Sequence, residues 1–194
     1  MSVRPPLRVG VTRHDEKEQK LKEFVRHHLD TLGTEHATIR GPLMVVARSI
    51  DSPVVKALLA LRHDIHAANL KLRLILAQLD NDALPESWET DVAPITCEVK
   101  WARRPRLIEA HEQLVLGPDT CWIGDCMRRD PAKCDAFENF IEDCGEASGC
   151  AIVSFERLWA ISEVISAIPH PTAAMIAETV HKMEGQPHEV GTRH

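Results

Sequence analysis

Two apolar runs in this chain bracket a helix start. Leu43–Ile50 (LMVVARSI) reads as a buried strand, and Lys71–Ala77 (KLRLILA) as another, with Lys71 and Arg73 alternating against Leu72 and Leu74. Between them stands Asp51-Ser52-Pro53. Asp51 or Ser52 can cap a helix, and Pro53 suits its first position, where a missing N–H costs nothing. Val54, Leu58, Leu61 and Ile65 then continue at helical spacing. Strand, helix, strand at this spacing is a crossover, and crossovers join parallel strands. The expected fold class is therefore α/β: a mixed, mainly parallel β-sheet flanked by helices.

The remaining elements follow the same rules. Glu16–Leu29 carries Leu21, Phe24, Val25 and Leu29 at helical spacing, with Gly33 as its stop. Residues 81–94 are polar and contain Pro, which predicts a loop anchored by Trp88. Ile95–Trp101 reads as a strand. Asp135–Cys144 has Phe137, Phe140 and Ile141 at helical spacing, and Gly145–Gly149 interrupts it. Ala151–Val153 reads as a short strand before a helix over Phe155–Ile165, and Thr172–Met183 as a last helix. The expected division is 1–42 as an N-terminal helical extension, 43–168 as the α/β domain, and 169–194 as a C-terminal helix with a loose tail.

At 194 residues the chain is long enough to bury roughly 70% of its unfolded surface. No apolar run approaches the roughly 20 residues of a membrane span. The opening MSVRPPLRVGVTRHDEKEQK lacks the apolar core of a secretory signal. A cytoplasmic location is expected, with cysteines left as thiols. A net charge of −6 argues against wholesale nucleic-acid binding.

The stretch richest in chemistry is HEQLVLGPDTCWIGDCM, His111–Met127. Two strand-like runs flank the turn residues Gly117-Pro118-Asp119. Paired as a hairpin, they bring His111 to the Gly124 corner. Lys100, Arg103, Arg104, Arg106, Arg128, Arg129 and Lys133 flank this stretch, with Glu109, Glu112, Asp125 and Asp130 interspersed. The pattern fits either a solvated, salt-bridged surface or a local anion site. None of the six cysteines forms a CxxC pair, so a zinc ribbon is not expected. Most of them read as small buried apolar residues. A metal site of His111, Cys121 and Cys126 is the one alternative. His63 and His66 lie on one helix face, read as solvated. GxSxG, P-loop and GxGxxG patterns are absent.

In order, these pieces resemble one half of the phospholipase D superfamily fold. The segment ARSIDSPVVKALLALRHDIHAANLKLRLILAQLD is similar to that family's opening strand–helix–strand. HEQLVLGPDTCWIGDCM resembles its signature, HxKxxxxD followed by a GSxN corner, and FERLW (Phe155–Trp159) resembles its closing helix. The resemblance implies phosphodiester chemistry through a phosphohistidine on His111. A second His would protonate the leaving oxygen, which requires a homodimer for a chain with one signature. No cofactor or metal is implied.

The match breaks at the groups that grip phosphate. The family Lys falls on Gln113 and the Asp position on Pro118, with Asp119 one residue late. Gly124 matches the corner, but Asp125 stands for Ser and Met127 for Asn. Replacing a cation with an amide and adding a carboxylate disfavours a bound phosphate. Arg128 and Arg129 are candidate replacements, since guanidinium forks suit phosphate oxygens. The expected function is a degenerate phospholipase D-like domain serving as an anion-binding or protein-interaction module. The alternative is an active phosphodiesterase or nuclease working as a homodimer.

Overall fold

The structure, a computed structural model, describes residues 7–11, 13–34, 41–79, 83–103, 110–128 and 136–165. The expected helix over Thr172–Met183, Arg129, Lys133 and Cys134 lie outside them.

The crossover forms as its residues dictate. β2 (Leu43–Ala47) and β3 (Leu72–Leu76) pair in parallel, Leu43 beside Leu72 and Ala47 beside Leu76. Two short helices, α2 (Pro53–Ala60) and α3 (Arg62–Ala67), connect them. Neither Asp51 nor Ser52 caps α2 with its side chain. The Ser52 hydroxyl instead accepts the Ser49 N–H at 3.1 Å, and Asp51 pairs with Lys56 at 3.0 Å. α3 stops at Asn69, whose φ of 55° is a left-handed conformation that Asn tolerates; the Leu70 N–H then reaches back to the Ile65 carbonyl.

Around this core lie β1 (Leu7–Val11), α1 (His14–Thr34), α4 (Trp88–Val92), β4 (Cys97–Trp101), β5 (His111–Val115), β6 (Cys121–Cys126), β7 (Ala136–Ile141), α5 (Gly145–Ile161) and β8 (Glu163–Val164). One sheet runs β1-β7-β6-β5-β2-β3-β4-β8. Its centre, β2-β3-β4, is parallel. The β5, β6, β7 and β1 wing and the β8 edge are antiparallel.

Helices cover both faces. Leu21 and Val25 of α1, Val54 and Leu58 of α2, and Trp88 of α4 pack with Leu43, Val45, Leu74, Leu114 and Trp122 in one apolar layer. The stretch 1–42 thus contributes its helix to this layer and its strand to the common sheet. On the other face α5 lays Phe155 against Val46, Ile75 and Met127, and Ala151 against Val115 and Cys121.

Four local expectations are corrected. Within the stretch 135–144, Ala136–Ile141 forms strand β7, not a helix: it pairs with β6 on one side and β1 on the other, and ladder bonds on both sides outweigh a helical spacing of three residues. Residues 145–161 form one helix with no strand inside, because burial of Ser148, Ala151 and Phe155 at helical spacing overrides the two glycines. The loop over 81–94 contains a single helical turn that buries Trp88. Gly33 does not end α1, which continues to Thr34.

Candidate active-site corner

The hairpin is present, and it brings His111 to Gly124. β5 and β6 pair antiparallel with Gln113 beside Ile123, but His111 stands opposite Cys126. β6 therefore takes three residue steps where β5 takes two, a bulge that re-aims backbone groups. His111 Nδ1 lies 2.9 Å from the Gly124 carbonyl oxygen. A carbonyl can only accept, so Nδ1 carries a proton, and in the neutral imidazole Nε2 keeps its lone pair. The imidazole is exposed. Gly124 is required here because a Cβ would overlap the benzo ring of Trp122, which is fully buried.

Gln113 is turned away from solvent. It is buried on the α5 side of the sheet, and its Nε2 donates to the Ala151 carbonyl at 3.1 Å. Met127 fills the apolar cluster around Phe155. Arg128 is exposed just beyond β6. The structure thus brings His111 to Gly124, while the Gln113 amide is spent on the Ala151 carbonyl.

On the other face, directly beside His111, lies a charge cluster that sequence reading missed. Lys17 of α1 places Nζ 2.5 Å from Glu138 Oε1 and 3.5 Å from Glu112 Oε2. Glu112 Oε1 accepts the Arg48 backbone N–H at 3.1 Å. The Lys17 ammonium also sits 5.2 Å from the centre of the Trp122 ring, a cation–π distance. Glu138 is fully buried, and its Oε2 has no hydrogen-bond partner among the described residues. Burial pushes the Glu138 carboxyl above its ordinary range; Lys17 opposes the shift, and Glu112 and Asp125 reinforce it. One cation thus serves two carboxylates, with Asp125 a third close enough to be felt.

Of the two proposed Cys partners, Cys126 stands opposite His111 and Cys121 does not come near it. Cys121 pairs with Val115 at the turn end of the hairpin, opposite the end that holds His111. Burial pushes its thiol up to about 11 and that of Cys97 up to about 12, so neither is a ready thiolate ligand or nucleophile. Among the described residues, no three His, Cys, Asp or Glu side chains are placed to hold a metal ion. The cysteines are also less buried than expected: Cys121 is buried, but Cys150 is exposed. His63 and His66 are exposed on α3.

No protein-family model and no curated protein matches the chain. Solved structures do. NucT from Helicobacter pylori matches with a TM-score of 0.54 and 8% identity over 83% of this chain and 99% of that one. TrmBL2, an archaeal chromatin protein with a novel mode of DNA binding, matches with a TM-score of 0.53 and 12% identity over 84% of this chain. This chain spans 55% of TrmBL2's length. Nuc from Salmonella typhimurium, a phospholipase D family member, matches with a TM-score of 0.45 and 13% identity over 73% of this chain and 90% of that one.

The chain shares its fold with NucT and TrmBL2. At these identities the likeness is one of fold, and function rests on the site itself. Within this sheet the parallel strands end beside a concavity of about 410 Å³, lined by Ser49, Asp51, Gln78, Leu84 and Glu86. Ligands of open α/β sheets bind at such strand ends. Its charged lining, Asp51 and Glu86, is acidic. No helix among the described residues is long and apolar enough to cross a membrane.

Proposed function

We propose that this chain is a phospholipase D-like domain that does not cleave phosphodiesters and acts as a binding or interaction module, working as a homodimer. The carrying observation is the fate of Gln113. It occupies the position of the phosphate-gripping lysine, carries no charge, and spends its amide N–H on the Ala151 carbonyl. The carboxylates of Glu112, Glu138 and Asp125 strengthen the case, since a phosphodiester monoanion entering beside His111 meets negative charge on the adjoining face. Any anion recognised by the module is taken at the exposed Arg128 and the basic sequence around it, including Arg129, where a guanidinium can fork two phosphate oxygens. The likeness in fold to TrmBL2, described as a chromatin protein that binds DNA, supports nucleic acid as one candidate class of such anion.

One observation favours the second reading, an active phosphodiesterase. The His111 tautomer leaves Nε2 unprotonated, as a nucleophile or base requires. Hydrolysis of bis(p-nitrophenyl) phosphate by wild type and His111→Ala, with and without EDTA, separates the two. The module reading predicts no difference between the proteins. Metal-free turnover that vanishes in His111→Ala establishes the enzyme.

A further inference from the structure

α5 presents two stripes. Its inner stripe, Ser148, Ala151 and Phe155, is buried against the sheet. The outer stripe carries Glu146, Cys150, Val153 and Arg157, spaced four, three and four residues apart, the alternation of a two-helix seam. All four are exposed, Val153 by 50%, which is high for a β-branched apolar side chain in the middle of a helix. Along this stripe runs an open groove of about 710 Å³, lined also by Ala110, Gly149 and Ser154. Among the described residues neither Glu146 nor Arg157 has an ion-pair partner.

These residues are complementary to themselves. If a second copy of α5 lies antiparallel on the first, with the two-fold axis between Ala151 and Ile152, each position meets one of opposite character. Glu146 meets Arg157 of the partner subunit, and Cys150 meets the partner's Val153. Gly149 meets the partner's Ser154, two small residues that let the helices approach closely. The opposed helix dipoles favour the same arrangement.

We propose that the outer face of α5 is the homodimer seam of this protein, with a second copy's α5 as the occupant of the groove. The proposal gives a surface to the homodimer of the preceding reading and rests on it for stoichiometry alone. Because Ala110 precedes His111, the two His111 corners flank the seam.

Light scattering across concentration, charge reversal and cross-linking test it together. Glu146→Arg and Arg157→Glu each place like charges in two symmetry-related pairs, and each should raise the dimer Kd about ten-fold. The double reversal should return it close to wild type, a rescue that a folding defect does not produce. For cross-linking, wild type is mixed with the Cys150→Ser, Val153→Cys variant under mild oxidant. A covalent dimer confined to the mixture, and absent from either protein alone, supports the seam. A dimer in solution with no cross-link in the mixture and no response to charge reversal overturns the seam and leaves the homodimer standing. A monomer at every concentration overturns both.

Discussion

Lys17 Nζ and Glu138 Oε1 sit 2.5 Å apart, joining the first helix of the chain to the seventh strand through a fully buried carboxylate. The same ammonium is 3.5 Å from Glu112. Removing it takes from two buried carboxylates the ammonium they share. Lys17→Met should therefore destabilise the fold by about 3–5 kcal/mol, the cost of breaking a buried pair from one side. Urea unfolding followed by circular dichroism measures this.

The same cluster sets a pH dependence. Glu138 has its folded-state pKa raised above the ordinary 4.5, chiefly by burial. A carboxyl raised in this way contributes stability below 4.5 and loses that contribution as pH rises through the folded-state value. Glu138→Gln removes the titration. The unfolding free energy of the Gln variant relative to wild type should thus move in the variant's favour as pH rises from 4.5. Denaturant titrations at a series of pH values check the sign.

Gly124 is held clear by the Trp122 ring, which a Cβ would overlap. Trp122 is fully buried and cannot swing out. Gly124→Ala should cost about 1–3 kcal/mol through overpacking. It should also displace the carbonyl that holds His111, read as a change in the imidazole nitrogen shifts by NMR.

Restoring the missing cation should fail. Gln113→Lys places an ammonium where the amide is buried beneath α5 and bonded to Ala151. We expect a loss of about 2–4 kcal/mol and no gain of phosphodiester hydrolysis. Thermal melts and the bis(p-nitrophenyl) phosphate assay read the two outcomes.

The parts legible in sequence were those set by local chemistry. Asp51-Ser52-Pro53 marked the crossover helix because Pro at a first helical position has a local cause. Gly117-Pro118-Asp119 marked the hairpin for a similar reason, and the hairpin delivered His111 to Gly124. β7 was hidden because Phe137, Phe140 and Ile141 also suit a helix, and only its two neighbouring strands decide between the patterns. α5 was hidden because glycine penalties are local while the burial of Phe155 is not.

The Lys17, Glu112 and Glu138 cluster joins residues far apart in sequence, each of a type ordinarily found on a surface. One signal was available. Glu112 shares strand parity with Leu114 and Leu116, so alternation places its carboxylate on their apolar face, and a carboxylate there calls for a cation.

The central claim is that His111 no longer acts on phosphorus. The most direct measurement is the mass of the intact protein, quenched in alkaline denaturant, where the P–N bond of a phosphohistidine survives, after mixing with bis(p-nitrophenyl) phosphate. A working His111 attacks phosphorus through Nε2, expels p-nitrophenolate and keeps a p-nitrophenylphosphoryl group. Unmodified protein is expected at every time point. An adduct that maps to His111 and is absent from His111→Ala would contradict it.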